Sequence, residues 1–529
     1  MNYYKILFSV SVVALIAMTG CKKFIDVNQD PNNITSTKAD FVMTGAIGTT
    51  YRNQVSTNLM IVPGTWTGIY AHSTSFTGGG NDKTYEFTSA DYDAFTGLYD
   101  NIADYDYVIK NAAKDGVAYW ADPANVMECY VYQQLVDLYG NVPYSQAFKG
   151  ADNITPAYDD QKAIYEDLVI RLDSAMERMT RATWPTNVEA RVQDISFGLD
   201  KTRWIGFANT LKLRILMRQS FMPGRDAYIQ AKVATQLSKG YINQNVLIQP
   251  GYAAIAGKLN PFYDNFGYNE VGTVRGTYQY RKMNAVLINF LKNSSGSGAD
   301  TFRLQSLAYP KGSTFATASN IGTSITSGTA TVDAYVGVPL GAGAGYSTSG
   351  SSPIGPFQIS FGSNTRAGMM MLLAELKFLQ AEYTQRYGIT FSGKTAETLY
   401  QEGILAHFRT IAAPSTSGIS ANAGDIYAIN YYNRPVENVN FTASTDKIKA
   451  ILLQKWISLT HVNGLEQWSE YRKASGTSSV GVPASVKTVA ATSNPEPVRF
   501  LYPQREFDNN GLNIPTVNRF TSKIFWDVN

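Results

Sequence analysis

Chemistry needs particular residue types at workable spacings, and this chain offers few. Its three histidines, His72, His407 and His461, stand at no metal-ligand spacing from cysteine or carboxylate. Glu375 and Glu382 are seven residues apart in a helical stretch, so they share a face with backbones about 10.5 Å apart. Glycosidase carboxylates flank a sugar bond at roughly 5 to 9.5 Å. A single apolar helix is a poor place for such a pair, and a structural role in hydrogen bonds or caps is the expectation. No nucleophile elbow, phosphate loop or dinucleotide fingerprint is convincing. Gly78-Gly79-Gly80 reads as a flexible loop. The sequence therefore assigns no catalytic residue, no metal and no cofactor.

Binding chemistry is better represented. Between residues 62 and 92, rings alternate with polar groups: Trp66, Tyr70, His72, Phe76, Asn81, Asp82, Tyr85 and Tyr92. A sugar ring has apolar C–H faces and a rim of hydroxyls. Flat aromatics cover such faces, while Asn, Asp and Arg meet the rim with hydrogen bonds. Trp66, Tyr70, Asn81, Asp82 and Tyr85 are the ligand-contact candidates here. The competing role for each ring is loop-anchoring core.

The elements that must position these groups are mainly helical. Residues 36–53 form a helix capped by Ser36 or Thr37. Tyr92 to Ala113 carries Leu98, Ile102, Tyr105 and Ile109 at spacings of three and four. Further helices run from Met127 to Tyr139, stopped by Gly140, and from Tyr158 to Met179 on the stripe Ile164, Leu168, Leu172, Ala175 and Met179. Lys201 to Gln219 has the clearest stripe, Trp204, Ala208, Leu211 and Ile215, with Phe207 widening it and Arg214 and Arg218 elsewhere on the helix. Arg366–Tyr387, Ala396–Thr410 and Asp446–His461 complete the set, and Trp204 and Trp456 read as core. Such faces are buried only against neighbouring helices. Between them lie long stretches rich in Gly, Ser, Asn and Tyr, notably 240–365 and 411–443. Loops of that length are functional or disordered as a rule.

The chain of 529 residues exceeds the size at which one core stops growing. Its charges nearly balance, 45 basic against 42 acidic, with no basic run, which excludes a nucleic-acid footprint. The two cysteines, Cys21 and Cys129, cannot form a disulfide framework, and Cys129 reads as a buried small hydrophobe. The apolar run from Ile6 to Met18 is too short to span a bilayer and fits a secretory signal. Met18-Thr19-Gly20-Cys21 looks like a bacterial lipoprotein cleavage site, so residues 1–20 read as signal peptide and Cys21 as the lipidated N-terminus. Palmitate-type acyl chains hold a membrane at about 0.8 kcal/mol per methylene. Residues 21–37 then form a tether, and 38–529 the folded domain.

Several short patterns occur in one order. They are Cys21-Lys22-Lys23-Phe24-Ile25-Asp26-Val27-Asn28, Leu138-Tyr139-Gly140-Asn141-Val142-Pro143, the segment Arg203-Trp204 through Leu213-Arg214, Asn260-Pro261-Phe262-Tyr263, and Arg499-Phe500-Leu501-Tyr502-Pro503. Together they resemble the SusD/RagB family of outer-membrane nutrient-binding lipoproteins, in its divergent branch, over nearly the whole chain. The resemblance implies a mainly α fold of tetratricopeptide-like helix pairs with a loop-rich second half. It implies an outer-membrane location facing outward, an oligosaccharide or peptide ligand, and a TonB-dependent β-barrel transporter of the SusC type as partner. It places the glycan site on the early loops and in the middle of the chain, where Tyr263, Tyr268, Tyr278, Tyr280 and Arg281 become candidates, Tyr280 and Arg281 foremost. Two departures stand out: Phe95 where many members open the helix with Trp, and Glu470-Tyr471-Arg472-Lys473 in place of paired arginines before Gly-Tyr-Pro. The expected function is surface capture of a nutrient and delivery to the barrel, without enzymatic activity; a peptide-binding lid or a surface glycan hydrolase are the alternatives. If Cys21 carries the anchor, Cys21→Ser is expected to release the protein into the soluble fraction when membranes are pelleted.

Overall fold

The computed structural model describes residues 37–76, 80–293, 300–313, 331–359, 363–412, 421–474 and 495–528. The signal segment, Cys21, Ser36 and most of the tether lie outside the described residues.

Helix α1 (Ala39–Gln54) starts without the side-chain cap expected from Thr37; the Asp115 carboxylate, from a distant turn, accepts from the Ala39 N–H at 2.9 Å. A five-residue α2 (Val62–Trp66) follows. Helix α3 (Phe95–Asn111) begins later than the expected Tyr92, because Tyr92 adopts a left-handed φ of 57° and Asp93 accepts from the Thr96 N–H at 3.0 Å. Leu98, Ile102, Tyr105 and Val108 form its buried stripe. Helix α4 (Ala121–Tyr139) is buried throughout its last fourteen positions, Val126 to Tyr139, and Gly140 ends it at φ 75°. Cys129 is buried there as a free thiol, and burial pushes its pKa up to about 12. Helix α5 (Gln161–Arg181) starts three residues after the expected Tyr158, since Asp160 caps Lys162 and Ala163 while Tyr158–Asp159 pairs as a strand. Asp200 caps α6 (Lys201–Met217) in the same way, and every residue from Trp204 to Met217 is buried. Each such large apolar side chain contributes about 1.5–3 kcal/mol relative to exposure.

The second half continues with α7 (Leu373–Tyr387), α8 (Ala396–Ala412), α9 (Ala421–Tyr432), α10 (Lys447–Ser458) and α11 (Gly464–Ala474). Helix α7 does not reach back to the expected Arg366. Residues Gly368–Met371 are a buried strand, and the Asn245 side chain accepts from the first helical N–H, Leu373, at 2.9 Å. Helix α9 lies in a stretch read as loop; its exposed Ile426 and Ile429 blur the periodicity.

Neighbours in sequence pack as neighbours in space: α1 on α3, α3 on α4, α4 on α5, α5 on α6, then α7 on α8 and α8 on α9, with α10 closing against α7. This is a mainly α scaffold of tetratricopeptide-like helix pairs. Among the described residues, six short strands make three antiparallel ribbons: β1 (Tyr70–His72) with β5 (Arg281–Met283), β2 (Val142–Pro143) with β3 (Tyr158–Asp159), and β4 (Val246–Ile248) with β6 (Gly368–Met371). One large apolar cluster runs through the whole body.

A lattice of buried charges joins α4, α6, α7, α10 and α11. Arg214 grips Glu375 with two bonds of 2.6 and 2.9 Å. Arg218 bonds Glu466 at 2.6 Å and Glu470 at 2.5 Å and lies 3.6 Å from Asp137. Lys473 reaches Glu382 at 3.1 Å and Glu470 at 2.9 Å, Lys455 reaches Glu470 at 3.2 Å, and Arg386 reaches Glu382 at 2.9 Å. Burial alone would raise the Glu382 carboxyl, but Lys473 and Arg386 hold it below its ordinary range. Removing one partner of such a pair leaves an uncompensated buried charge and costs about 3–5 kcal/mol. Arg214→Met is therefore expected to lower the urea midpoint sharply. Arg214→Met with Glu375→Leu is expected to recover most of the loss, because the orphaned carboxylate goes with its partner.

Candidate ligand-binding site

The β1–β5 ribbon brings the early loop to the middle of the chain. His72 stands opposite Arg281 and Tyr70 opposite Met283. Residues on one side of a strand alternate, so His72 and Arg281 project together. Asp82, in the short helix Asn81–Thr84 after β1, completes the group. Arg281 Nη1 donates to Asp82 Oδ2 at 2.9 Å. His72 Nε2 lies 2.9 Å from the same oxygen and 2.8 Å from Arg281 Nη1, so it donates to the carboxylate or accepts from the guanidinium according to its tautomer. All three side chains are at most 8% exposed. Burial would raise Asp82, but Arg281 and His72 hold its carboxyl well below the ordinary range. Burial lowers the His72 pKa below 6.5, with Arg281 adding to it and Asp82 opposing.

On this base stands a stack of rings. Phe76 and Tyr280 lie nearly parallel, with centroids 4.0 Å apart and planes 11° apart, and His72 lies parallel to Tyr280 at 5.8 Å. The Arg281 guanidinium sits 5.6 Å from the Tyr280 ring. Phe76 and Tyr280 are half-buried, so the stack presents ring surface to solvent. A third segment borders it: the Thr74 N–H donates to the Tyr346 carbonyl at 2.7 Å, and the Ser73 and Thr348 hydroxyls lie 3.1 Å apart. The arrangement offers partly exposed ring surface beside the exposed Thr348 hydroxyl, above a buried guanidinium paired with Asp82. That is suited to holding a polar ring compound and supplies no activated nucleophile.

The other candidates fall elsewhere. Trp66, expected at the ligand, is 2% exposed and is a core hub. Phe87 stacks on it at 5.3 Å, Trp468 meets it at 4.9 Å, and its Nε1 donates to the Asp82 carbonyl at 2.9 Å. Tyr70 is fully buried with its hydroxyl 2.8 Å from His461 Nδ1, and Tyr85 is buried at a left-handed φ of 63°. These three leave no ring face open, because packing inside the body outcompetes exposure for such large apolar rings. Asn81 is half-buried and ties down Asp91 at 2.8 Å. Tyr263, Tyr268 and Tyr278 form a buried ring cluster of their own. Of the middle-chain tyrosines considered, Tyr280 alone is partly exposed. Glu375 and Glu382 sit in the buried charge lattice, the structural role expected for them. Tyr346 and Thr348 were not singled out in sequence; they lie in a Ser- and Gly-rich stretch that carries no periodic signal.

His72 and Asp82 are both shifted downward, so the unfolded chain binds protons more readily at each. The stability they contribute is present at neutral pH. It is expected to fall as pH drops below about 6.5, the ordinary value for His72, and again below 3.8, that for Asp82. Asp82→Asn is expected to remove the second step and to lower the urea midpoint at pH 7 by leaving Arg281 buried without its carboxylate.

Comparison with known proteins places this geometry in context. A family model for SusD-like proteins, described as "Starch-binding associating with outer membrane", matches residues 31–503. No curated protein sequence matches the chain. Among solved structures, a SusD homolog from Bacteroides fragilis is 20% identical with a TM-score of 0.69, covering 93% of this chain and 99% of its own. A SusD/RagB family protein from Bacteroides thetaiotaomicron is 17% identical with a TM-score of 0.69 over the same shares, 93% and 99%. A chitin-binding SusD homolog from Flavobacterium johnsoniae is 20% identical with a TM-score of 0.66, covering 92% of this chain and 99% of its own. With most of its length matched by that family model and its helix pairs shared with these structures, the chain belongs to the SusD-like family of outer-membrane-associated proteins.

Proposed function

We propose that this protein captures an oligosaccharide at the outer surface of the outer membrane, held there by a lipid on Cys21, and passes it unaltered to a SusC-type TonB-dependent barrel. The observation that carries the reading is the half-exposed Phe76–Tyr280 stack set on the buried His72–Asp82–Arg281 group. Ring faces of this kind cover the C–H face of a sugar, and the exposed Thr348 hydroxyl, held by the buried Ser73, suits its hydroxyl rim. The base beneath the rings is rigid, so little ordering entropy is spent when a ligand arrives. Asp82 directs its oxygens at Arg281 and His72, which makes it an orienting group rather than a proton-transfer group. Family membership supports a starch- or chitin-type glycan over a peptide.

Calorimetric titration with malto- and chito-oligosaccharides tests the reading. Tyr280→Ala is expected to weaken binding about tenfold or more, roughly 1.4 kcal/mol, with the fold intact. Appearance of new reducing ends would count against capture without turnover. Failure of a barrel to co-purify with the tagged protein from membranes would count against delivery.

A further inference from the structure

A cavity of about 410 Å³ opens between α7, the segment 237–242 and the turn that precedes α8. Its volume falls in the roughly 300–1,000 Å³ range of ligand clefts. Its lining shares no residue with the Phe76–Tyr280 stack, and Lys377 lines both it and a larger cavity beside the β4–β6 ribbon.

The walls are held firmly. Asn209 of α6, itself buried, donates to the carbonyls of Gln236 at 3.0 Å and Gly240 at 2.8 Å, and the Thr210 hydroxyl accepts from the Ile242 N–H at 3.1 Å. Gly206 lets this segment come close, since a Cβ there would lie 2.9 Å from the Tyr241 carbonyl. Opposite, the chain reverses at Ser392 and Gly393, both with left-handed φ, and the Lys394 N–H donates to the Phe391 carbonyl at 3.1 Å. The two walls meet through their rings: Tyr241 and Phe391 stand edge to face with centroids 5.5 Å apart. Tyr241 is half-buried.

Gln380, on α7, lines the cavity one turn beyond Leu376. It is only 5% exposed, yet its side-chain amide bonds no described residue. Buried polar groups are rarely left without partners, so the partners of this amide come from what fills the cavity. The ionic groups at the edge are already engaged: Lys377, at 2.8 Å, and Lys394 both pair with Glu402. Recognition therefore falls on neutral groups, the Gln380 amide, the exposed Ser238 and Thr390 hydroxyls and the Tyr241 ring. A carboxamide offers one acceptor and two donors side by side, which a pair of adjacent hydroxyls satisfies. A peptide strand would need a free backbone edge. Here one wall is helix and another a closed turn, so the side chains do the recognising.

We propose that this cavity is a second carbohydrate site, separate from the Phe76–Tyr280 stack, which takes a neutral mono- or disaccharide end with adjacent hydroxyls on the Gln380 amide and a C–H face against Tyr241. The site goes beyond capture at Tyr280 and does not depend on it.

The test is calorimetric titration of the whole purified protein carrying Tyr280→Ala with maltose, lactose, cellobiose, mannobiose and diacetylchitobiose. At least one of them is expected to bind saturably with a Kd below about 1 mM. Adding Gln380→Leu, or Tyr241→Ala, should weaken that sugar about tenfold. Gln380→Leu should leave the thermal midpoint as high as before, because the amide gives up no partner within the protein. Hydrogen exchange should slow at 237–242 and 390–394 when the sugar is present. No saturable binding by any of these sugars up to about 1 mM, binding that survives Gln380→Leu, or a fall in the midpoint on Gln380→Leu overturns the proposal. In otherwise unaltered protein, sugar binding that is lost on Tyr280→Ala and indifferent to Gln380→Leu overturns this site and leaves capture at the stack standing; the reverse pattern overturns the stack and leaves this site. A blocked Ala-Ala dipeptide that binds more tightly than every sugar and depends on Gln380 overturns the carbohydrate assignment.

Discussion

Five cations and five carboxylates are ion-paired in the interior where α4, α6, α7, α10 and α11 meet, with Arg472 buried beside them, and the rest of the molecule is arranged around their mutual neutralisation. Arg214, Arg218, Arg386, Lys455 and Lys473 answer Asp137, Glu375, Glu382, Glu466 and Glu470. A single ion in such a place would be strongly disfavoured, so each helix can occupy its position only when the others are in theirs. The partners are far apart in the chain: Arg218 and Glu470 are separated by 252 residues. Apolar packing could hold several helix arrangements at similar free energy. Charge pairing with bidentate geometry admits few, which is how the early helix pairs are registered against the later ones.

That registration is what places the Phe76–Tyr280 stack. Helix α11 carries Glu466 and Glu470 in the lattice and, on another side, Trp468, which meets Trp66 at 4.9 Å. Trp66 in turn donates to the Asp82 carbonyl, and Asp82 holds Arg281 and His72 under the Phe76–Tyr280 stack. A chain of direct contacts thus runs from the buried ions to the exposed rings. The aromatic hub works from beneath: Trp66, buried and hydrogen-bonded to the Asp82 carbonyl, holds the segment that carries the base of the stack.

The aromatic stack and the cavity beside the β4–β6 ribbon differ in chemistry because they differ in what surrounds them. The stack is built where the β1–β5 ribbon meets the loop that carries Phe76 and the short helix that ends at Tyr280, and there the two rings stand parallel at 4.0 Å. The cavity lined by Leu247, Met369, Leu373, Lys377, Leu405 and Arg409 is walled by α7, α8 and the β4–β6 ribbon, whose regular spacing presents aliphatic and long cationic side chains. A scaffold of helix pairs with long connections can carry both without either perturbing the other.

The amphipathic stripes and the stop at Gly140 were legible in the sequence, because they depend on contacts a few residues apart; the cap at Asp160, which moved the start of α5 from Tyr158 to Gln161, was not read there. So was the family resemblance, carried by short ordered motifs. Helix α11 was not legible: its buried face holds Glu466, Glu470 and Lys473, which read as solvent-facing until partners from distant helices neutralise them. The strand at 368–371 and the start of α7 were likewise decided by β4 and by Asn245, over a hundred residues earlier. The ring-and-polar stretch read as a binding candidate divides in the structure: Trp66 and Tyr85 lie inside, while Phe76 stays partly exposed, as does Tyr280 from the middle of the chain. Composition states which groups can bind. Which of them are left uncovered depends on long-range packing, and that is a property of the assembled body alone.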